Sequence, residues 1–158
     1  MFQETKAWQS YRQVATQTSS PGQLVLLLYN GIIRFLVQAR QGFSKDDPKE
    51  INETINNNLL RALAIINELN QSLNMPEGGE FSVRMRALYD YFERRLHECN
   101  MTKTEPGIVE VLQHVTVLRD AWAELVQRGP GAVAPAIPGA ERRPGLPAAA
   151  TPDTRLSP

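Results

Sequence analysis

The sequence predicts an all-α fold: an antiparallel four-helix bundle with a short N-terminal arm and a disordered C-terminal tail. Three observations lead there. Four stretches carry apolar residues at spacings of three and four, the period of one helix face. Helix-start grammar, a capping side chain followed by proline, stands before the first two. The stretches run about 20 residues each, roughly 30 Å at 1.5 Å per residue, and short connections join them, as an up-down-up-down bundle requires. The arm is placed at 1–19, the bundle at 20–128 and the tail at 129–158.

In the arm, Trp8, Tyr11 and Ala15 fall three and four apart, an amphipathic spacing suited to docking on a groove. The first helix spans about Pro21 to Gln41. Ser20 can accept a hydrogen bond from an orphan backbone N–H and Gln23 can reach back. Pro21 fits the first helical position, where its missing N–H costs nothing. Leu24, Leu28, Ile32, Phe35 and Ala39 mark one face, and Gly42 is expected to stop the helix in a left-handed cap. The unbroken run Leu24-Val25-Leu26-Leu27-Leu28 exceeds the single stripe that one core needs. Leu24, Val25, Leu28, Tyr29, Ile32 and Ile33 cannot all point into one interior, so this helix is expected to offer a partner-binding face.

The second helix opens with Asp47 as cap, Pro48 in the first turn and Glu50 at the third position. Ile51, Ile55, Leu59, Ala62, Ile66, Leu69 and Leu73 then form its stripe. Its several asparagines lower intrinsic propensity, so packing must supply most of its stability. Met75-Pro76-Glu77-Gly78-Gly79 reads as a turn between two antiparallel helices. The third helix covers about Glu80 to Asn100. Val83 or Met85, Leu88, Phe92, Leu96 and Cys99 line one face, Tyr89 flanks it, and Asp90 and Arg94 have the spacing of an ion pair. The fourth starts near Thr104 with Pro106 in its first turn. Ile108, Val111, Leu112, Val115, Leu118, Trp122 and Leu125 form its stripe. Its β-branched residues make a strand the competing reading, but the helical period fits better. After Gly129, recurrent prolines among Ala and Gly preclude a helix or a core.

Composition removes several function classes. The 17 basic and 17 acidic residues cancel, which argues against nucleic-acid binding and against electrostatic docking on an anionic membrane. The single cysteine, Cys99, makes no intramolecular disulfide or cysteine cage and reads as a small core residue in a reducing cytosol. The N-terminus lacks signal-peptide grammar. The apolar run Leu24–Val37, broken by Asn30, Gly31 and Arg34, falls short of the roughly 20 residues of a bilayer span. Glu93/His97 and Glu110/His114 are spaced four apart, one too many for the Glu-x-x-His pairs of di-iron bundles, and read as surface pairs. No nucleophile triad or phosphate loop is evident. A non-enzyme without cofactor or metal is expected.

The chain resembles the flagellin export chaperones, the FliS family, over about residues 8–127. Ser20-Pro21-Gly22-Gln23-Leu24 and Leu28-Tyr29-Asn30-Gly31 match the family's helix start and its Leu-Tyr-Asp-Gly segment. Arg61-Ala62-Leu63-Ala64-Ile65-Ile66-Asn67-Glu68-Leu69, the turn Gly78-Gly79-Glu80, and Leu88-Tyr89-Asp90-Tyr91-Phe92-Glu93-Arg94-Arg95-Leu96 follow in order. Leu118-Arg119-Asp120-Ala121-Trp122 looks like the closing helix. Asn30 departs from the usual family Asp, so a carboxylate–arginine pair at that place would lose its charge. The resemblance implies a cytosolic helical bundle that binds the disordered C-terminal segment of flagellin, blocks premature polymerisation and presents the cargo to a component of the type III export gate. It also implies that the arm, through Trp8 and Tyr11, covers part of the groove when cargo is absent. Tyr89, Asp90 and Arg94 are expected to knit the third helix to a neighbour. Two rival readings are a homodimer that buries the surplus face of the first helix against its own copy, and an adaptor docked on the export machinery without cargo.

Overall fold

The computed structural model describes residues 21–128. Four helices follow in order: α1 (Pro21–Gln41), α2 (Pro48–Gln71), α3 (Met75–Thr102) and α4 (Pro106–Arg128), with a short 3-10 turn, Gly42–Ser44, after α1. The ring order is α1–α2–α3–α4, and α4 closes back on α1. Neighbours run antiparallel. Arg40 at the end of α1 meets Glu105 before α4, at 2.8 Å, and Asn56 early in α2 meets Asn100 late in α3, at 2.9 Å. The expected fold class is therefore the observed one, and the fourth segment is helical rather than a strand.

The stripes read from the sequence form the core. Leu28, Ile32, Phe35 and Ala39 of α1 face Ile55, Leu59, Ala62 and Ile66 of α2 across the same interior as Phe92 and Leu96 of α3 and Val111 and Val115 of α4. Of the alternatives on α3, Met85 is buried and Val83 is exposed. Tyr89 does not flank the core but lies inside it. Cys99 is buried, as expected of a small core residue. Within Pro21–Ser44 an 18-residue window with mean hydropathy 1.3 does reach the length and composition of a membrane span, which the interrupted run Leu24–Val37 does not lead one to expect. Core burial of Leu28, Ile32, Phe35 and Leu36 accounts for much of that hydropathy.

Caps decide where the helices begin and end. The Asp47 side chain accepts from the Glu50 N–H at 3.2 Å, with Pro48 in the first turn, as the sequence predicts. Gly42 does more than stop a helix. The chain continues through it into the 3-10 turn, and its φ is not left-handed. A Cβ at Gly42 would lie 2.8 Å from Ile55 Cγ1 and about as close to Thr54, so the residue is small because α2 crosses it there. The Met75–Gly79 turn is also different from expectation. Asn74 caps a helical turn by accepting from the Glu77 N–H at 3.2 Å, and the helix breaks only at Gly79 (φ 57°, ψ −136°), a conformation that favours glycine. Ser82 ties this turn down by donating to the Asn74 carbonyl at 3.0 Å.

The expected Asp90–Arg94 pair is replaced by other partners. Asp90 Oδ1 accepts from Asn70 Nδ2 of α2 at 2.8 Å, while the Arg94 guanidinium lies 5.5 Å from the Tyr91 ring centroid. Arg86 adds a bond to the Asn70 carbonyl at 3.0 Å, so the α2–α3 seam is knitted by polar groups.

Candidate partner-binding surfaces

The sequence-predicted residues separate into three sets. Trp8 and Tyr11 lie outside the described residues. Leu28, Tyr29 and Ile32 are core residues, so their apolar mass goes into the bundle interior rather than onto a face. Leu24, Val25 and Ile33 are half-buried and pack at the margin of that core, where α1 still presents apolar surface. The α1 run thus faces both the core and its margin, because a helix of period 3.6 cannot turn five consecutive apolar residues in one direction.

Tyr29 shows why one of these positions is polar at its tip. Its hydroxyl lies 2.7 Å from that of Tyr89, across the bundle from α1 to α3. Burial pushes the Tyr29 phenol up to about 12, partly opposed by the bond to Tyr89 and the nearby Trp122 side chain. Burial also holds the Tyr89 phenol well above its ordinary range, with the neighbouring Tyr29 adding to the effect. A hydroxyl pair satisfies two polar groups that would otherwise be costly in an apolar interior.

Next to Tyr29, Asn30 Oδ1 accepts from Arg119 Nη1 at 2.9 Å, joining α1 to α4. The contact expected of a carboxylate is therefore kept by an amide, without the charge. Arg119 also bonds Asp120 Oδ1 at 2.8 Å. Asn30→Asp should convert the bond into an exposed ion pair and raise stability by about 0.5 kcal/mol. Urea midpoints at low and high salt check this, since the gain should shrink as salt rises.

A surface that sequence reasoning missed lies between α3 and α4. Near the start of α4 the two helices are pinched together. A Cβ at Gly107 would collide with Cys99 Sγ and lie 2.9 Å from the Arg95 guanidinium. Toward the other end an open groove of about 470 Å³ separates them. Arg84, Ala87, Leu88 and Tyr91 of α3 form one wall, at helical spacings of three and four. His114, Val117 and Leu118 of α4 form the other. Val117 is 52% exposed and Val83 is 56% exposed, unusually high for valines on helices that also build a core. The α4 signal is visible in the sequence as apolar Val117 beside the stripe of Val111, Val115 and Leu118. What the sequence hides is that α3 and α4 do not close over it.

The groove walls are held in place. Tyr91 donates its hydroxyl to Glu110 Oε2, and Arg95 Nε donates to Glu110 Oε1 at 2.9 Å. The Tyr91 and Arg95 bonds together hold the Glu110 carboxyl below its ordinary range. The His114 ring stacks on Phe92 with centroids 5.9 Å apart, and Glu110 lies 4.0 Å from its Nε2. Glu110/His114 is thus a surface pair beside an aromatic wall, and no group of three or more metal-ligating side chains occurs among the described residues. A rigid apolar slot with helical spacing on both walls can hold one apolar side of a peptide, and no acid–base or nucleophilic chemistry is assembled in it.

Residues 4–129 match the family model described as "Flagellar protein FliS". The chain belongs to the FliS family. The flagellar secretion chaperone FliS of Bacillus subtilis is 41% identical over 118 residues, covering 75% of this chain and 84% of the relative. The FliS chaperone of Escherichia coli is 32% identical over 124 residues (75% and 88%), and that of Salmonella typhimurium 31% over 121 (73% and 87%). FliS is a chaperone family and not an enzyme family, so membership gives the chain a role in flagellar export as a chaperone. The FliS match begins within the arm and ends one residue beyond α4, leaving the proline-bearing tail outside it.

Proposed function

We propose that this protein binds the C-terminal segment of flagellin in the cytosol, keeps it from polymerising and delivers it to a component of the type III export gate. The observation that carries the reading is the open apolar groove between α3 and α4, in a member of a flagellar secretion chaperone family. Apolar anchors of the cargo, spaced at threes and fours, would seat against Leu88, Tyr91 and Val117. Leu24, Val25 and Ile33 extend the apolar surface along α1. In the arm, Trp8 and Tyr11 supply the aromatic contacts that gate cargo access. Ordering a disordered segment carries an entropic cost, so a large apolar area must be buried to offset it.

Calorimetric titration with the C-terminal segment of the same organism's flagellin tests this. Saturable one-to-one binding with a negative heat-capacity change is expected. Val117→Glu should weaken it about 10- to 100-fold while leaving the helical circular dichroism unchanged, because Val117 is exposed and a carboxylate there must be desolvated under the cargo's apolar anchors. Trp8→Ala/Tyr11→Ala should also alter the affinity, and equal binding would remove the gating role. Absence of complex together with a concentration-dependent dimer would replace the cargo reading by self-association through α1.

A further inference from the structure

We propose that this chain's own segment Val133–Pro138 occupies the α3–α4 groove and competes there with the cargo; the competition rests on the groove reading given above. The groove is not symmetric about its ends. Because α3 and α4 are antiparallel, Arg84 and Leu118 lie at one end, and Tyr91 and His114 at the other. The Arg84–Leu118 end faces the C-terminus of α4, which closes at Arg128. From Arg128 back to Leu118 is ten residues, about 15 Å along the helix axis. The five residues Gly129 to Val133 reach up to about 17 Å when extended. Val133 is therefore the first bulky apolar residue of the tail able to meet that end of the groove.

The chemistry from that point suits the slot. Val133-Ala134-Pro135-Ala136-Ile137-Pro138 carries no charge and no polar side chain, and no charge occurs anywhere between Gly129 and Ala140. Four residues beyond Val133, at about 3 Å each, Ile137 comes level with Tyr91, which lies about 10 Å along α3 from Arg84. Prolines fix φ and so reduce the freedom lost on docking. Aromatic walls such as Tyr91 and His114 are the surfaces on which proline-bearing segments seat.

The tether selects this occupant over a second copy. A segment joined by five residues has an effective concentration in the millimolar range, about a thousandfold above that of another chain at micromolar concentration. Even a millimolar intrinsic affinity would then fill the groove in about half of the molecules. Cargo would bind with its apparent affinity reduced by the fraction of open grooves, a factor of about 2 to 10. The segment would act as a weak, always-present guard of the slot, displaced only by a cargo with more anchors.

The test compares the full chain with its Val133→Asp/Ile137→Asp variant by methyl NMR at several protein concentrations. Methyl signals of Leu88, Val117 and Leu118 are expected to shift between the two, while those of Ile55 and Leu59 in the interior stay in place. Unchanged groove methyls overturn the docking. Shifts that grow with protein concentration overturn the intramolecular form, because they report a second copy. In the calorimetric titration the variant should bind the flagellin segment about 2- to 10-fold more tightly, and equal affinity overturns the competition. The NMR arm uses no cargo, so its outcome stands apart from failure of the cargo reading.

Discussion

Phe92→Ala is expected to lower the free energy of unfolding by about 3–5 kcal/mol. Three rings hold this side chain. Phe92 is fully buried, meets Tyr89 edge-on at 6.4 Å, lies tilted to Tyr91 at 6.4 Å and stacks with His114 at 5.9 Å. Truncation removes the transfer free energy of the ring and leaves a cavity that the surrounding helices can only partly close. For a domain of about 100 residues, each kcal/mol corresponds to about 4–8 °C, so the thermal midpoint should fall by roughly 12–40 °C. Urea unfolding followed by circular dichroism measures the loss directly, and a change under about 1 kcal/mol would remove Phe92 from its place at the centre. The groove should suffer too, because Tyr91 and His114 both lean on this ring. At a temperature where the variant is still folded, cargo affinity should fall along with stability.

The second large effect lies in the buried tyrosine pair. Tyr29→Phe should cost about 1–3 kcal/mol, because the buried Tyr89 hydroxyl loses its partner. Tyr89→Phe should cost a similar amount, since it orphans the buried Tyr29 hydroxyl in the same way. The double Phe variant should cost less than the sum of the two, as no hydroxyl is then left orphaned at the centre. The pair also fixes an alkaline limit. The folded pKa of Tyr29 is raised from 10.0 to about 12, so the folded state favours the neutral phenol. Its contribution is fully present below pH 10 and is lost as pH rises through about 12. A rise of that size corresponds to on the order of 3 kcal/mol. The urea midpoint of the native chain should therefore fall between about pH 9 and pH 12. The double Phe variant should lose much less over the same range, and an equal loss in both would show that other groups set the limit.

How much of this is legible in the sequence differs by feature. The starts of α2 and α4 are readable because Asp47, Pro48 and Pro106 act locally, through a cap bond and a missing N–H, whereas the start of α3 is not. Stripes give the core for the same reason, as period 3.6 is a property of one helix. Tyr89 reads as a flanking residue because its position one residue past Leu88 says nothing about what faces it, and a hydroxyl 60 positions away decides the matter. Gly42 reads as a conformational device, whereas its reason is steric, the approach of Ile55 and Thr54 from the next helix. Of the six α1 residues expected to meet a partner, the three that prove to be core cannot be told from Leu24, Val25 and Ile33 without knowing where α2 and α4 sit. The groove is invisible for a related reason. It arises from the gap between two helices pinched at Gly107, and a gap has no residues of its own.

Cys99 gives the molecule an internal clock. It is the only cysteine in the chain, it is buried, and burial pushes its thiol up, so in the closed bundle it offers a reagent neither access nor thiolate. Its sulfur packs where Gly107 crosses α3, so α4 must move away before a reagent can reach it. The rate at which an aromatic disulfide consumes this one thiol under native conditions therefore counts openings of the α3–α4 seam. Without any label or substitution, the chain reports how often its own helices part.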